Sequence, residues 1–234
     1  MINHQQVISE MNSQVRFYRQ SDRAAVRQIC ADTGFLSKPI DPVFEDRELF
    51  ADYLTKYYTD CEPESTLVFE MEGVVKGYLM GCRRCRYNDL YHLYHNLILV
   101  LKGLYRYVSY PYNKSSRQFI HWLIWRGWRE VPKAPKGIPH FHINLLQEAR
   151  TMRHSHAMMQ GFVDYLISKG EKAFYGQMVV FEGRRGERMF TRYGFEILDK
   201  VEVTKYREVY PEKVYLFTVY RDLSKNSKIY RSEE

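Results

Sequence analysis

Cysteine is scarce in this chain of 234 residues: there are four, and only Cys82 and Cys85 stand close together. No disulfide framework is expected from that pattern, and the thiols should be reduced. Eight prolines and thirteen glycines are too few for a collagen-like or low-complexity chain. Long apolar runs are also missing. The greasiest stretch, around residues 97–101, is far shorter than the ~20 residues that cross a bilayer, and residues 1–16 contain no apolar core of signal-peptide length. A membrane span is therefore not expected, and a cytoplasmic location is. What is present is a globular composition, 45% hydrophobic and 27% charged, in a chain large enough to bury a core without covalent help.

The formal charge of +7 is unevenly placed. Residues 83–137 hold eleven Lys/Arg against two acids, a surplus of nine, while residues 41–64 hold eight acids against Arg47 and Lys56. A nucleic-acid footprint over the whole surface is excluded by this distribution, and no nucleic-acid partner is expected. The acidic stretch suggests a wall that attracts a cationic partner; its competing reading is the solvated face of an amphipathic helix.

Residues 15–18 suit a short strand, and Ser21 can cap a helix carrying Ala25, Val26, Ile29 and Cys30 at helical spacing before Gly34. A second amphipathic helix is expected over 44–58, then a hairpin of strands 67–70 and 74–81 around Met-Glu-Gly. Residues 84–139, rich in Tyr, Trp, Leu and Arg, read as two helices, with Leu90, Tyr94, Leu97, Leu101 and Leu104 at helical spacing in the first. A strand over 141–146, a buried-face helix over 157–167 stopped by Gly170, a strand over 174–181, a helix starting within 182–190 and two strands, 196–203 and 214–220, complete the order. This is an α/β (α+β) arrangement in one domain. Its parts are 15–83, a helical aromatic and basic insertion over 84–139, a second half over 140–223 and a charged tail from 224.

With elements in this order, PHFHINLLQEARTMRHSHAMMQGFVDYLISKG followed by GRRGERMFTRYGFEIL resembles the GNAT superfamily of acetyl-CoA-dependent N-acetyltransferases over nearly the whole chain. Within it, QSDRAAVRQICADTG, the helical insertion and HFHINLLQ look most like the acetyltransferase-like domain at the C-terminus of some O-GlcNAc hydrolases and its free-standing bacterial relatives. The resemblance implies a mixed, mostly antiparallel central sheet flanked by helices, with the insertion between the third and fourth strands. It implies acetyl-CoA as cosubstrate, a primary amine as acceptor, direct attack of the amine, and no metal. The alternative is a catalytically silent relative that keeps the fold as a binding module.

The family loop Q/R-x-x-G-x-G/A, whose backbone N–H groups face the pyrophosphate of coenzyme A, falls here on Arg150, Thr151, Met152, Arg153, His154 and Ser155. Leu145 and Leu146, on the strand before it, would hold the pantetheine. Arg153 replaces a glycine; it either obstructs the phosphates or supplies charge-assisted bonds in place of close backbone approach. The later pattern N-x-x-A-x-x-F-Y-x-x-x-G-F falls on Gly183, Gly186, Met189, Phe190, Gly194 and Phe195. The family tyrosine that protonates the leaving thiolate is thus Phe190, which has no hydroxyl; Tyr193 is the nearby candidate, with packing at a position that is apolar in the family as its plainer reading.

His140 and His142 share one face of a strand that in the family borders the cleft, so His142 is a candidate proton acceptor, with a hydrogen-bonded structural histidine as the plainer reading. Asn144, on the same face, could only orient a group. Cys82 and Cys85 followed by His92 and His95 invite a zinc site, but the loop between the pairs is short and basic, and a strand end running into an amphipathic helix is the preferred reading. Trp122, Trp125 and Trp128 suit a lid over the cleft or a homodimer contact rather than stacked bases.

Overall fold

In a computed structural model, which describes residues 12–181 and 186–224, alternating and helical apolar patterns resolve into seven strands and six helices among the described residues. Gly183, the expected start of a helix at 182 and the tail beyond Ser224 lie outside them. Arg16, in β1 (Ser13–Phe17), pairs with Asp22 at 2.7 Å, which fixes the entry to α1 (Arg23–Asp32). Asp46 accepts from the Leu49 N–H at 3.0 Å and caps α2 (Arg47–Asp60). β2 (Thr66–Met71) and β3 (Val74–Cys82) form the expected hairpin, with Glu72 and Gly73 both at positive φ in the turn.

The insertion follows β3 as two helices, α3 (Cys85–Ser109) and α4 (Lys114–Trp125), the latter capped by Asn113. The chain re-enters the sheet at β4 (His140–Leu145), then continues through α5 (Met152–Ser168), β5 (Ala173–Phe181), the short α6 (Glu187–Arg192), β6 (Glu196–Glu202) and β7 (Val214–Asp222). α5 starts five residues before its apolar periodicity does, because Thr151 caps it by accepting from the His154 N–H at 3.1 Å. α4 ends at Trp125, before Trp128.

The sheet runs β1-β2-β3-β4-β5-β7-β6, antiparallel at every pairing except β4 with β5. Each face carries a core. On one, α1 and α2 bury Val26, Ile29, Tyr57 and Tyr58 against Tyr78 and Met80 of β3. On the other, Met158, Phe162, Val163 and Leu166 of α5 pack on Leu79 and Phe141. Each such side chain contributes about 1.5–3 kcal/mol by leaving water. Phe162 approaches so closely that a Cβ on Gly81 would lie 2.2 Å from its ring. No helix among the described residues is long and apolar enough to cross a membrane.

Candidate functional site

β4 is fully paired on one edge and nearly bare on the other. β3 matches it from Cys82↔His140 to Gly77↔Leu145, whereas β5 pairs it only at His140↔Tyr175 and Phe141↔Gly176 before the two strands part. Gly176 sets the point of divergence: the Phe141 ring lies across it, 2.5 Å from where a Cβ would stand. The Leu146 N–H is bonded to Lys76 O at 2.9 Å, towards β3. Strand alternation therefore turns the N–H and C=O groups of Ile143 and Leu145 to the open side, facing β5. Of the two leucines expected to hold pantetheine, only Leu145 offers backbone there.

Between the parted strands lies a cleft of about 320 Å³. Phe141, Ile143 and Leu145 form one wall, Met178 and Val219 another, and Met189, Phe190, Tyr193 and Phe195 a third. Its mouth is the start of α5, with Arg150, Thr151, Met152 and Ser155 in the lining. Arg150 donates through Nη2 to Leu145 O at 2.8 Å and to Ser37 O at 3.3 Å, tying β4 to the loop after α1; burial lowers its pKa from the ordinary arginine value. Arg153 is exposed beside the mouth. His154 faces inward instead, its Nδ1 bonded to Ala149 O at 2.9 Å and its ring stacked on Phe69 at 4.3 Å. Its ring braces the loop from inside.

Phe190 is buried against Phe217, and Tyr193 lines the cleft while its carbonyl accepts from Arg221. Among the described lining residues Tyr193 carries the phenol and Arg150 the one charged side chain.

The two histidines of β4 are not in this lining, although Asn144, on the same face, is. His140 Nε2 meets the Tyr58 hydroxyl at 2.9 Å, the His142 ring stands edge-on to Tyr58, and Asn144 donates to the Tyr78 hydroxyl at 2.7 Å. Burial first, then neighbouring imidazoles, push His140 down to about 3 and His142 to about 4. His142 is therefore a weak proton acceptor outside the cleft.

A ring nitrogen of His140 also comes within 4.8 Å of the Cys82 and Cys85 sulfurs, which lie that close to each other. The sequence pairs those cysteines with His92 and His95. The third donor comes instead from a strand 55 residues away, and the only sequence signal for it was its place at the start of that strand.

The acidic stretch does not form a cation-attracting wall, because each of its eight acids is engaged. Asp46 accepts from Arg106 and Tyr112, both at 2.6 Å; Asp52 accepts from Arg27 at 2.6 Å and Lys102 at 2.9 Å. Asp41 pairs with Arg47, Glu48 with Arg106, Asp60 with Arg23 and Glu64 with Arg84. Glu45 takes Asn113, and the buried Glu62 takes Tyr57 and the backbone of Arg83 and Arg84. These acids are answered in equal part by Arg84, Lys102 and Arg106 of 83–137 and by Arg23, Arg27 and Arg47, which weakens the argument for a cationic acceptor from this charge.

No family model and no curated protein matches the sequence. Solved structures do match. SsHAT is 24% identical with a TM-score of 0.64, covering 90% of this chain and 98% of its own. A GCN5-related N-acetyltransferase from Kribbella flavida gives 15% and 0.53, covering 92% and 99%. YncA from Salmonella typhimurium, solved with its cofactor acetyl-CoA, gives 11% and 0.53, covering 94% and 99%. None of these bears on the finer likeness to the domain of O-GlcNAc hydrolases. At such identities the likeness is one of architecture, and the architecture of this chain is the GNAT fold.

Proposed function

We propose that the chain is an acyl-CoA-dependent N-acyltransferase that takes acetyl-CoA into the cleft between β4 and β5 and acetylates a primary amine. The observation that carries this reading is the open edge of β4: a strand that loses its partner after Phe141 beside an apolar cleft accepts an extended amide-bearing chain by backbone hydrogen bonds. The residues present fit such a ligand, with apolar walls for the pantetheine, Arg150 and the first turn of α5 for phosphate oxygens, and Gly176 giving room at the vertex. Arg150 must give up Leu145 O to free that carbonyl for an amide N–H.

When bound, acetyl-CoA supplies a thioester carbonyl whose carbon–sulfur bond breaks as the amine nitrogen bonds to the acyl carbon. Tyr193 is the side chain we assign to hold a proton for the departing sulfur. No histidine or carboxylate belongs to the described lining, so the ammonium proton of the acceptor leaves to water. Calorimetric titration with acetyl-CoA, followed by thiol release with a panel of amines, tests this reading; absence of micromolar binding rejects it.

One observation favours the silent alternative. Phe190 puts a buried apolar ring where the family has its acid, and loss of a general acid costs about two to four orders of magnitude in rate where the group matters. Binding without turnover, unaffected by Tyr193→Phe, would establish it.

A further inference from the structure

We propose that Cys82, Cys85 and His140 form a binding site for one soft divalent metal ion, zinc being the natural occupant. Two thiols and an imidazole are a zinc donor set, unlike the oxygen cages of calcium or magnesium. Each donor is placed by a different element: Cys82 ends β3, Cys85 opens α3, and His140 opens β4 directly opposite Cys82. Their donor atoms lie within 4.8 Å of one another, and a tetrahedral zinc needs them roughly 3.6–3.8 Å apart, so side-chain rotation of about an ångström completes the set.

The surroundings suit a cation. Glu62, buried and anionic when ionised, holds the Arg83 and Arg84 N–H groups, the two residues between the cysteines, at 2.7 and 3.2–3.3 Å. The Tyr58 hydroxyl at 2.9 Å from His140 Nε2 orients the imidazole as outer partners of metal ligands do. Cys85 and His140 keep partial exposure, which gives an entry path and leaves the fourth position to water.

Reduced, chelator-treated full-length protein titrated with cobalt should take up one equivalent, with a thiolate-to-cobalt charge-transfer band that zinc abolishes. Zinc should raise the melting temperature. Cys85→Ser and His140→Ala should each weaken zinc binding, measured against a chromophoric chelator, by more than the roughly 10–100-fold that loss of an outer partner costs. His95→Ala should leave it unchanged. A wild-type protein that gives no thiolate–cobalt band overturns the site, as does a band of equal strength in Cys85→Ser.

From a separate observation we infer that the outer face of α3 packs on α3 of a second copy of this chain. The helix is turned inside out. Asn88, His95, Lys102 and Arg106 face the body, whereas eleven large apolar side chains are each more than two-fifths exposed. Leu90, Tyr94, Leu97, Leu101, Leu104 and Val108 follow the strict four-three spacing of a coiled-coil seam. At roughly 100 Å² each, the eleven offer on the order of 1,100 Å² per copy, above the ~800 Å² per partner of a standard interface. Of the three bases of α3, Lys102 and Arg106 are bonded inward and Arg86 in the first turn is exposed, a sparse cationic rim for a lipid surface.

Light scattering after size exclusion should give a dimer for the wild type and a monomer for Leu97→Glu/Leu101→Glu with an unchanged circular dichroism spectrum. A wild-type monomer at all concentrations overturns the inference. Flotation of that monomer with phosphatidylserine vesicles would assign the face to lipid instead.

Discussion

Replacing Arg150 with alanine removes a guanidinium that does two things at once. In the free protein it bonds Leu145 O at 2.8 Å and Ser37 O at 3.3 Å. A bond from a cation to a carbonyl contributes about 1.5–3 kcal/mol, and the longer one less. A net loss of about 2 kcal/mol should lower the melting temperature by roughly 4–8 °C in a chain of this size. In the bound state the same side chain stands at the cleft mouth, where loss of one charge-assisted bond to phosphate should raise the coenzyme A Kd roughly 10–150-fold. Calorimetry with coenzyme A on wild type, Arg150→Ala and Arg150→Lys reads the second effect, and thermal unfolding reads the first. The lysine variant should keep part of the affinity but little of the stability, since an ammonium does not match the guanidinium fork. A Kd within twofold of wild type in Arg150→Ala would remove Arg150 from the phosphate site, whatever the melting temperature does. Arg153→Gly completes the comparison: tighter binding means Arg153 obstructs, weaker binding that it substitutes for close backbone approach.

Glu62→Ala strips hydrogen bonds from Tyr57 and from two backbone N–H groups in a buried place and should destabilise by about 3–5 kcal/mol in urea unfolding; a loss under ~1 kcal/mol would contradict the assigned role. Burial would raise the Asp46 and Asp52 carboxyls, but their bonds to Arg106 and Tyr112, and to Lys102 and Arg27, outweigh it and hold both below the usual carboxylate range. Their contribution to stability is thus complete above about pH 4 and lost as pH falls through the depressed folded values, so protease sensitivity of the insertion should appear only below about pH 4. The pH–rate profile for acetyl transfer should follow the amine's own pKa and be unchanged in His142→Gln; a shifted profile would return His142 to the reaction.

Local chemistry made much of the fold readable in advance. Glu72-Gly73 announced the hairpin, and Met158, Phe162 and Leu166 announced the buried face of α5. Its first turn was not readable, because Arg153, His154, Ser155 and His156 carry no apolar period and a threonine cap decides the boundary. The spacing of Leu90, Leu97 and Leu104 marked a helix correctly, and Trp122, Trp125 and Trp128 suggested a lid or a dimer contact; no insertion residue lines the described cleft. Ion pairs across 50–60 residues, Lys102 to Asp52 and Arg106 to Asp46, rotate that helix and turn its leucines outward. His140 escaped notice as a partner of Cys82 for the same reason: strand register is a long-range property. The acidic stretch was visible as composition, while its neutralisation depended on which bases the fold brings to it.

That neutralisation bears on how the chain could be re-engineered. An insertion between two strands looks like an optional module, to be cut out and replaced by a short turn. Here excision of residues 84–137 would strip Asp46 of Arg106 and Tyr112, Asp52 of Lys102 and Glu62 of Arg84, leaving carboxylates on α2 and its C-terminal turn with part or all of their compensation gone. A minimal core of this fold cannot be obtained by deletion alone; it requires those acids to be rewritten at the same time, so the insertion and the second helix form one unit.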